Sequence, residues 1–174
     1  MINRIIGVLK LNVNTYEEIE ADKNATIQAF SIVFLSSIVT AIVTAIILKP
    51  DTGFSLANFI STSIIGIFLW ALWALVTMLV GTKLLPTQET SSNWGELART
   101  TGYAQAPKLF SIFAIIPILT TIVLLIVGVW NLITMIIAIR QALDYKSTWR
   151  AVFVVLIGFI PYAIISTLLI SLLQ

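Results

Sequence analysis

Two side chains that carry much of protein chemistry are missing from this sequence, since none of its 174 residues is cysteine or histidine. Without cysteine, disulfides, thiolate nucleophiles and covalently attached haem are excluded. Without histidine, the chain lacks the commonest metal ligand and the usual acid–base catalyst near neutral pH. We therefore expect no metal site and no bound cofactor, and we expect that the protein is not an enzyme.

Charge is also scarce in this chain. Only 10% of the residues are charged, whereas 59% are hydrophobic, and the mean hydropathy is +1.03. An ordinary soluble domain carries about 25% charged residues, and a soluble globule of this size could not cover so much apolar surface. The net charge of +2 gives no basis for a nucleic-acid partner. The composition indicates a single-domain integral membrane protein whose immediate partners are membrane lipids.

Long uncharged stretches indicate where the chain crosses the bilayer. Charged side chains are absent from residues 24–48, 52–82, 109–139 and 151–174. Each stretch is longer than the roughly 20 residues that cross a ~30 Å hydrocarbon core as a helix. The third stretch would form a helix of about 46 Å, which is too long for one span. Pro117 lies inside it, and a turn there gives two spans, the first beginning near Gly102.

The basic residues test this division, because cytoplasmic loops are enriched in lysine and arginine. With five spans, nine basic residues fall on one side and only Lys49 on the other, whereas four spans give six against four. We therefore predict an all-α bundle of five transmembrane helices, with the N-terminus in the cytoplasm and the C-terminus outside. The predicted spans cover about residues 26–48, 58–82, 102–117, 119–140 and 150–173.

Residues 1–23 carry an amphipathic pattern ahead of the first span. Apolar side chains recur with helical spacing at Ile2, Ile5, Ile6, Leu9 and Val13. This spacing predicts a helix lying in the cytoplasmic interface, with a floppy amphipathic tail as the alternative. Because Arg4 and Lys10 interrupt the apolar run, we expect no cleavable signal peptide here. Residues 15–18 match a capping box, so a second helix is predicted from Tyr16 and can continue into the first span.

The second half of the chain carries a recognisable series of short motifs. They are SNWGEL at residues 92–97, GYAQAP at 102–107, GVWN at 128–131 and KSTWRA at 146–151. This series resembles the Yip family, five-span membrane proteins named in eukaryotes for their interaction with Ypt/Rab GTPases. The Gly-Tyr-x-x-x-Pro motif and the tryptophan at position 130 are its most characteristic features, and the resemblance covers nearly the whole chain.

The resemblance implies a fold and a membrane location rather than an activity. Eukaryotic members generally carry a long cytoplasmic N-terminal region with an acidic and aromatic motif, and nothing like it precedes Ile27 here. The chain is more similar to the compact bacterial and archaeal members, which implies the cytoplasmic membrane of a prokaryote. Trafficking through Rab proteins is therefore not carried over to this chain.

Lys108 is the only charged residue that lies within a predicted span rather than at its end, and no acid lies in any of them. Proton-coupled transporters and intramembrane proteases normally need ionisable groups at depth. One interpretation of Lys108 is a side chain that snorkels toward the headgroups. The other is a contact with lipid phosphate or a partner's carboxylate, at a site formed with Arg99, Gly102, Tyr103 and Pro107.

Small residues and tryptophans suggest how the helices pack. Small side chains recur at Ser37, Ala41 and Ala45 in the first span and at Thr62 and Gly66 in the second. This spacing favours close helix packing, either within the monomer or in a dimer. The indoles of Trp70, Trp73 and Trp130 are expected near mid-membrane, where they either pack in the core or line a cleft for a lipid or hydrophobic ligand.

These observations favour a non-catalytic membrane scaffold or a module that binds a partner or lipid. The alternative is a protein that passes lipid or a small apolar solute through the bundle without ion coupling. A continuous polar groove across the membrane would favour transport, whereas a dry core with a basic cytoplasmic face would favour the scaffold. Besides lipids, other membrane proteins or a second copy of the chain are candidate partners.

Overall fold

The computed structural model describes residues 1–47 and 55–171, and every regular element in these ranges is a helix. The α-helices are α1 (Ile2–Leu9), α2 (Val13–Ala21), α3 (Ala25–Ile47), α4 (Leu56–Leu79), α5 (Trp94–Tyr103), α6 (Thr120–Ala142) and α7 (Thr148–Ser171). A short π-helical turn, Val80–Leu84, extends α4, and a 3₁₀ helix, Ala106–Ile115, separates α5 from α6. The described part of the chain is thus all-helical, as the sequence predicts.

Four of these helices are long and apolar enough to cross a membrane. They are Ala25–Ile47, Leu56–Leu84, Thr120–Ala142 and Thr148–Leu169. The remaining predicted span, residues 102–117, is not a continuous α-helix. Its residues form the end of α5 and the 3₁₀ helix instead. Pro107, which lacks a backbone N–H, lies at the start of the 3₁₀ helix, and an α-helix could not pass through it undisturbed.

The 3₁₀ helix and α6 form an antiparallel hairpin. Near the turn, the hydroxyl of Thr120 donates to the carbonyl of Ala114 at 2.7 Å. At the other end of the hairpin, the hydroxyl of Thr134 donates to the carbonyl of Ala104 at 2.8 Å. Because that second bond satisfies a backbone acceptor where α5 ends, α6 stabilises the irregular backbone inside the bundle.

The N-terminal segment is folded against the bundle and is not a floppy tail. Val8 and Tyr16 are fully buried, and the Tyr16 hydroxyl donates to the Val8 carbonyl at 3.4 Å. Helix α2 begins at Val13, earlier than the predicted start at Tyr16, because the side chain of Asn12 caps it. It ends at Ala21 and does not continue into α3.

The bundle has two halves of different character. The anchored half comprises α1, α2, α5 and the parts of the long helices that pack on them. The open half comprises the 3₁₀ helix, α3 from Ser36 onward, α4 before Trp73, α6 before Met135 and α7 after Val155. Ser36 donates to Gln105 at 3.4 Å, about 16 Å along α3 from Ala25. The boundary between the halves therefore lies near the middle of α3.

Candidate functional site

The structure separates the two basic residues that we expected in one site. The Arg99 guanidinium, 7% exposed, donates from Nε and Nη2 to the Glu20 carbonyl at 3.2 and 2.5 Å, which ties α5 to α2. The Lys108 ammonium instead donates to Oε1 of Gln105 at 3.1 Å. The two side chains line different cavities. Helix α5 ends at Tyr103, between them, and the 3₁₀ helix that carries Lys108 begins at Ala106.

The other residues expected beside Lys108 are part of the protein's packing. A Cβ atom at Gly102 would lie 2.9 Å from Cβ of Ala29 and 3.3 Å from the Trp70 ring, so glycine allows α5 to approach α3 and α4 closely. Tyr103 is fully buried and donates its hydroxyl to the side-chain carbonyl of Gln28. Pro107 is buried. These residues position the backbone that carries Lys108.

Lys108 opens onto a cavity of about 440 Å³ inside the open half. All of the long helices and the 3₁₀ helix contribute to its walls. The lining includes Ser36, Ser37, Gly66, Trp70, Trp73, Gln105, Lys108, Asn131, Leu132, Phe159 and Tyr162. Its volume lies within the roughly 300–1,000 Å³ of typical small-ligand sites. The chain could therefore hold part of an amphiphile among its own helices.

Three polar atoms on residues that line this cavity have no hydrogen-bond partner in the described part of the chain. They are Nε1 of Trp70, Nε1 of Trp73 and Oδ1 of Asn131, and all three are buried. Leaving such a group unpaired costs about 1–3 kcal/mol. Native proteins pair most buried polar groups, so these three atoms mark incomplete hydrogen bonding around the cavity, and Nε1 of Trp70 lies on the side of Gly102 in α5.

Lys108 adds an unneutralised cation to the same cavity. Among the described residues, ion pairs join Arg4 to Glu18 and Asp22, and Lys146 to Glu89. No carboxylate in those ranges lies within ion-pair distance of Lys108, whose ammonium is held by a neutral amide. Because an ionised side chain at membrane depth is expensive, it usually marks a functional position.

The cavity opens sideways between α6 and α7. Leu132 and Phe159 line it and are also 49% and 59% exposed, so they mark an apolar part of its mouth, and Thr40 on α3 lines it and is exposed as well. Gly128, which also lines the cavity, lies four residues before Leu132 on α6, and a Cβ atom there would meet nothing within 4 Å. Toward the anchored half, in contrast, Tyr103 and Ile139 are fully buried. The cavity thus reaches the surface of the protein and closes before the anchored end.

A second cavity, of about 600 Å³, lies in the anchored half and is lined by charges of both signs. Its acids include Glu17, Glu20, Glu96 and Asp144, and its bases include Lys23, Arg99 and Arg140. Burial, assisted by the neighbouring carboxylates of Asp144 and Glu96, raises the pKa of Glu20 to about 7. Within the described residues, no group of acids is arranged to hold a metal ion. Acids and bases line the same cavity, so no single sign of charge dominates its walls.

Some of the small residues that were predicted to pack lie at a contact between two helices, and others lie at partly exposed positions. A Cβ atom at Gly66 would lie 2.5 Å from Oγ of Ser37, so these two residues set the close approach of α3 and α4 within the monomer. Ala41 is buried, at 2% exposure. Ala45 and Thr62 are half-buried. The structure thus brings Ser37 and Gly66 together within one chain.

Two cavity residues were not singled out from the sequence, and one tryptophan lies elsewhere. Gln105 and Asn131 line the cavity; amide side chains in otherwise apolar stretches were the signal that could have identified them.

Trp130 does not line the cavity. Its indole N–H donates to the Leu9 carbonyl at 3.1 Å and holds α1 against α6. Of the tryptophans proposed to line a cleft, Trp70 and Trp73 do so.

Comparison with known proteins adds one finding to this geometry. The family model described as the Yip1 domain matches residues 6–169, which is nearly the whole chain. The match confirms the resemblance seen in the sequence motifs. No curated protein and no solved structure matches the chain with significance.

Proposed function

This chain belongs to the Yip1 domain family, and from that membership and the cavity we propose that it is a non-catalytic membrane protein that binds lipid inside its helical bundle. The observation that carries the proposal is the cavity of about 440 Å³ that opens between α6 and α7. Its walls combine apolar side chains with Gln105, Lys108 and Asn131, which is the composition of an amphiphile site. In this role the protein serves as a scaffold whose conformation or partners respond to lipid.

The shape of the cavity supports binding over transport. A permeation pathway needs a route through both halves of the bundle. The fully buried side chains of Leu97, Tyr103 and Ile139 close the anchored half, and the tightly packed α5 fills the space between α3, α4 and α6. A pocket that opens on one side and ends inside the protein favours retention of a ligand.

We also propose that the chain crosses the membrane five times, with the N-terminus in the cytoplasm and the C-terminus outside. Helix α5 and the 3₁₀ helix have 10 residues each, which amounts to about 35 Å at roughly 1.5 and 2.0 Å per residue. Their combined length supports a broken third crossing. The distribution of basic residues, nine against one, supports the orientation.

The topology is tested with single cysteines, which the native chain lacks. A cysteine at Ser171 should react with an impermeant thiol reagent in intact cells, whereas a cysteine at Ser147 should react only after permeabilisation. Both positions are exposed. If both cysteines were labelled from the same side, α7 would not cross the membrane between them, and the proposed topology would be wrong.

Lipid binding is tested by closing the mouth of the cavity. In Gly128→Trp the new side chain starts in open space and should obstruct the gap between α6 and α7 without a clash. Native mass spectrometry should show at least a several-fold loss of co-purified lipid from this variant. The matched control is Val129→Trp, at a neighbouring exposed position that does not line the cavity. Equal lipid retention by wild type, Gly128→Trp and Val129→Trp would refute the proposed site.

A further inference from the structure

We propose that the cavity selects an anionic amphiphile from the bilayer, with a carboxylate or phosphate head held by Lys108 and a chain that leaves between α6 and α7. This inference rests on the proposed function and names the class of lipid that it concerns. It starts from Lys108, whose ammonium faces Gln105 and has no acidic partner within the described residues. The remaining polar groups of the cavity then define which hydrogen-bonding atoms the head group must carry.

The depth of Lys108 explains why its counter-charge should come from a ligand. Its partner Gln105 is hydrogen-bonded to Ser36, near the middle of α3, so both membrane surfaces are distant. A lysine close to a helix end can extend to the headgroups, but this one bonds to a neighbouring amide instead. Bringing an anion to it neutralises two charges that are each unfavourable at this depth.

The hydrogen-bonding groups of the cavity favour a head rich in acceptors. Among the described residues that line the cavity, Lys108 is the only charged one. Its ammonium carries three donors and no acceptor, and it donates to Gln105. Asn131 offers both a carbonyl and an amino group, so it complements either a charged oxygen or a hydroxyl. A carboxylate or phosphate supplies several acceptor oxygens, whereas an alcohol supplies one and an ammonium none. The cavity is therefore matched to an oxyanion.

The mouth of the cavity identifies the bilayer as the source. Its rim is formed by Leu132 and Phe159, both large, apolar and exposed. Neighbouring side chains on α6, such as Leu125 at 64% and Val129 at 52%, are exposed as well, which suits contact with lipid chains. An acyl chain leaving through this gap continues along apolar surface. A free inorganic anion would gain nothing from that arrangement.

The experiment compares amphiphiles that share one chain and differ in the head. Purified protein is titrated with hexadecanoate, hexadecyl phosphate and hexadecanol in a zwitterionic detergent, and the bound fraction is measured by native mass spectrometry. We expect wild type to prefer at least one anionic probe over the alcohol by about tenfold, the effect of one charge-assisted hydrogen bond. Binding of both or only one of the anions supports the inference and identifies the head.

Matched variants assign that preference to Lys108. Lys108→Gln should abolish the preference for the anion while leaving the alcohol bound as before, and Lys108→Arg should restore it. Lys146→Gln, which removes an exposed lysine paired with Glu89, should behave as wild type. The thermal unfolding midpoint of each variant shows whether the bundle remains folded.

The outcomes separate this inference from the proposed function. If all the probes bind wild type equally and none binds Gly128→Trp, the cavity binds lipid without distinguishing charged from neutral head groups. That result overturns the inference. If Lys108→Gln retains the anion preference, Lys108 is only a buried structural lysine and the inference also fails. If no probe binds wild type, or Gly128→Trp binds every probe as wild type does, the proposed lipid site itself fails.

Discussion

The anchored and open halves of the bundle differ in how far their polar side chains are paired with each other or with the backbone. In the anchored half, Arg4 forms ion pairs with Glu18 and Asp22 at 2.7 and 2.8 Å. There, too, the Tyr145 hydroxyl bonds to the carbonyls of Gly81 and Leu85 at 3.1 and 2.8 Å. In the open half, the described indoles, amide and ammonium around the cavity are without partners or held only by a neutral amide.

This difference shows where the fold is complete by itself. A fully satisfied polar network rigidifies a bundle, whereas unpaired polar groups and empty volume lower the stability of the region that contains them. On the proposed function, we expect the anchored half to be stable without a ligand and the open half to gain stability from the bound lipid. We expect substitutions of the same chemistry to have unequal effects in the two halves, and the following predictions test that.

The largest difference is expected between leucine substitutions at two helical glycines. Gly102→Leu, in the anchored half, forces a side chain against Ala29 and Trp70 and should destabilise the protein by about 3 kcal/mol through overpacking. In Gly128→Leu, in the open half, the new Cβ atom meets no atom within 4 Å, and the substitution should stabilise α6 by up to about 1 kcal/mol. Thermal unfolding in detergent measures both, and equal losses would remove the distinction between the halves.

A smaller effect is expected at Ala41, which is 2% exposed on the small-residue side of α3. Ala41→Leu should destabilise the bundle by about 1–3 kcal/mol, because the added carbons have no space between the helices. The control is Ile38→Leu on the same helix, at a half-buried position, which should change the unfolding midpoint little. A tolerated Ala41→Leu would show that the open half yields even at its buried positions.

A pair of tyrosines gives the same comparison for hydrogen bonds. Tyr145→Phe removes the hydroxyl bonded to the carbonyls of Gly81 and Leu85 and should cost about 1 kcal/mol. Tyr162→Phe should have almost no effect without ligand, because the structure gives its hydroxyl no hydrogen bond within the described residues; its ring packs against Trp73 at 5.2 Å. Chemical or thermal unfolding of the two variants in parallel measures the difference.

The smallest expected effect is a pH dependence in the anchored half. Burial raises the pKa of Glu20 from 4.5 to about 7, so the folded state binds this proton more tightly than the unfolded state. The associated stabilisation is complete below pH 4.5 and is lost as the pH rises through about 7. Wild type should therefore gain stability relative to Glu20→Gln as the pH is lowered through this window. Parallel unfolding curves for the two proteins would contradict the raised pKa.

Other groups near Glu20 titrate as well, which is why the comparison with Glu20→Gln is needed. Arg4 lowers the pKa of Asp22 through a direct hydrogen bond, so that carboxylate loses its stabilising effect in acid. Burial raises the pKa of Asp144, which acts in the same direction as Glu20. Subtracting the Glu20→Gln curve from the wild-type curve isolates one group from these opposing slopes.

The sequence alone determined the character of the molecule. Scarce charge and long apolar stretches require helices in a bilayer, because only helices and closed barrels satisfy their backbone groups there. Hydropathy and charge can be read from each stretch of sequence by itself. The four long helices accordingly lie within a few residues of the predicted spans. The motif from Gly102 to Pro107 and the tryptophan at position 130 indicated the family correctly.

Only the tertiary structure decided which residues meet. The sequence analysis placed Arg99 and Lys108 in one site at the start of the third span. In the structure α5 ends at Tyr103, between them, and the two side chains line different cavities. Trp70 and Trp130 look equivalent in the sequence, yet one lines the cavity and the other bonds to Leu9. The periodicity of apolar residues predicts which side of a helix is buried. A cavity and its unpaired atoms arise where several helices pack together incompletely. That packing depends on contacts between residues distant in the chain, which periodicity does not contain.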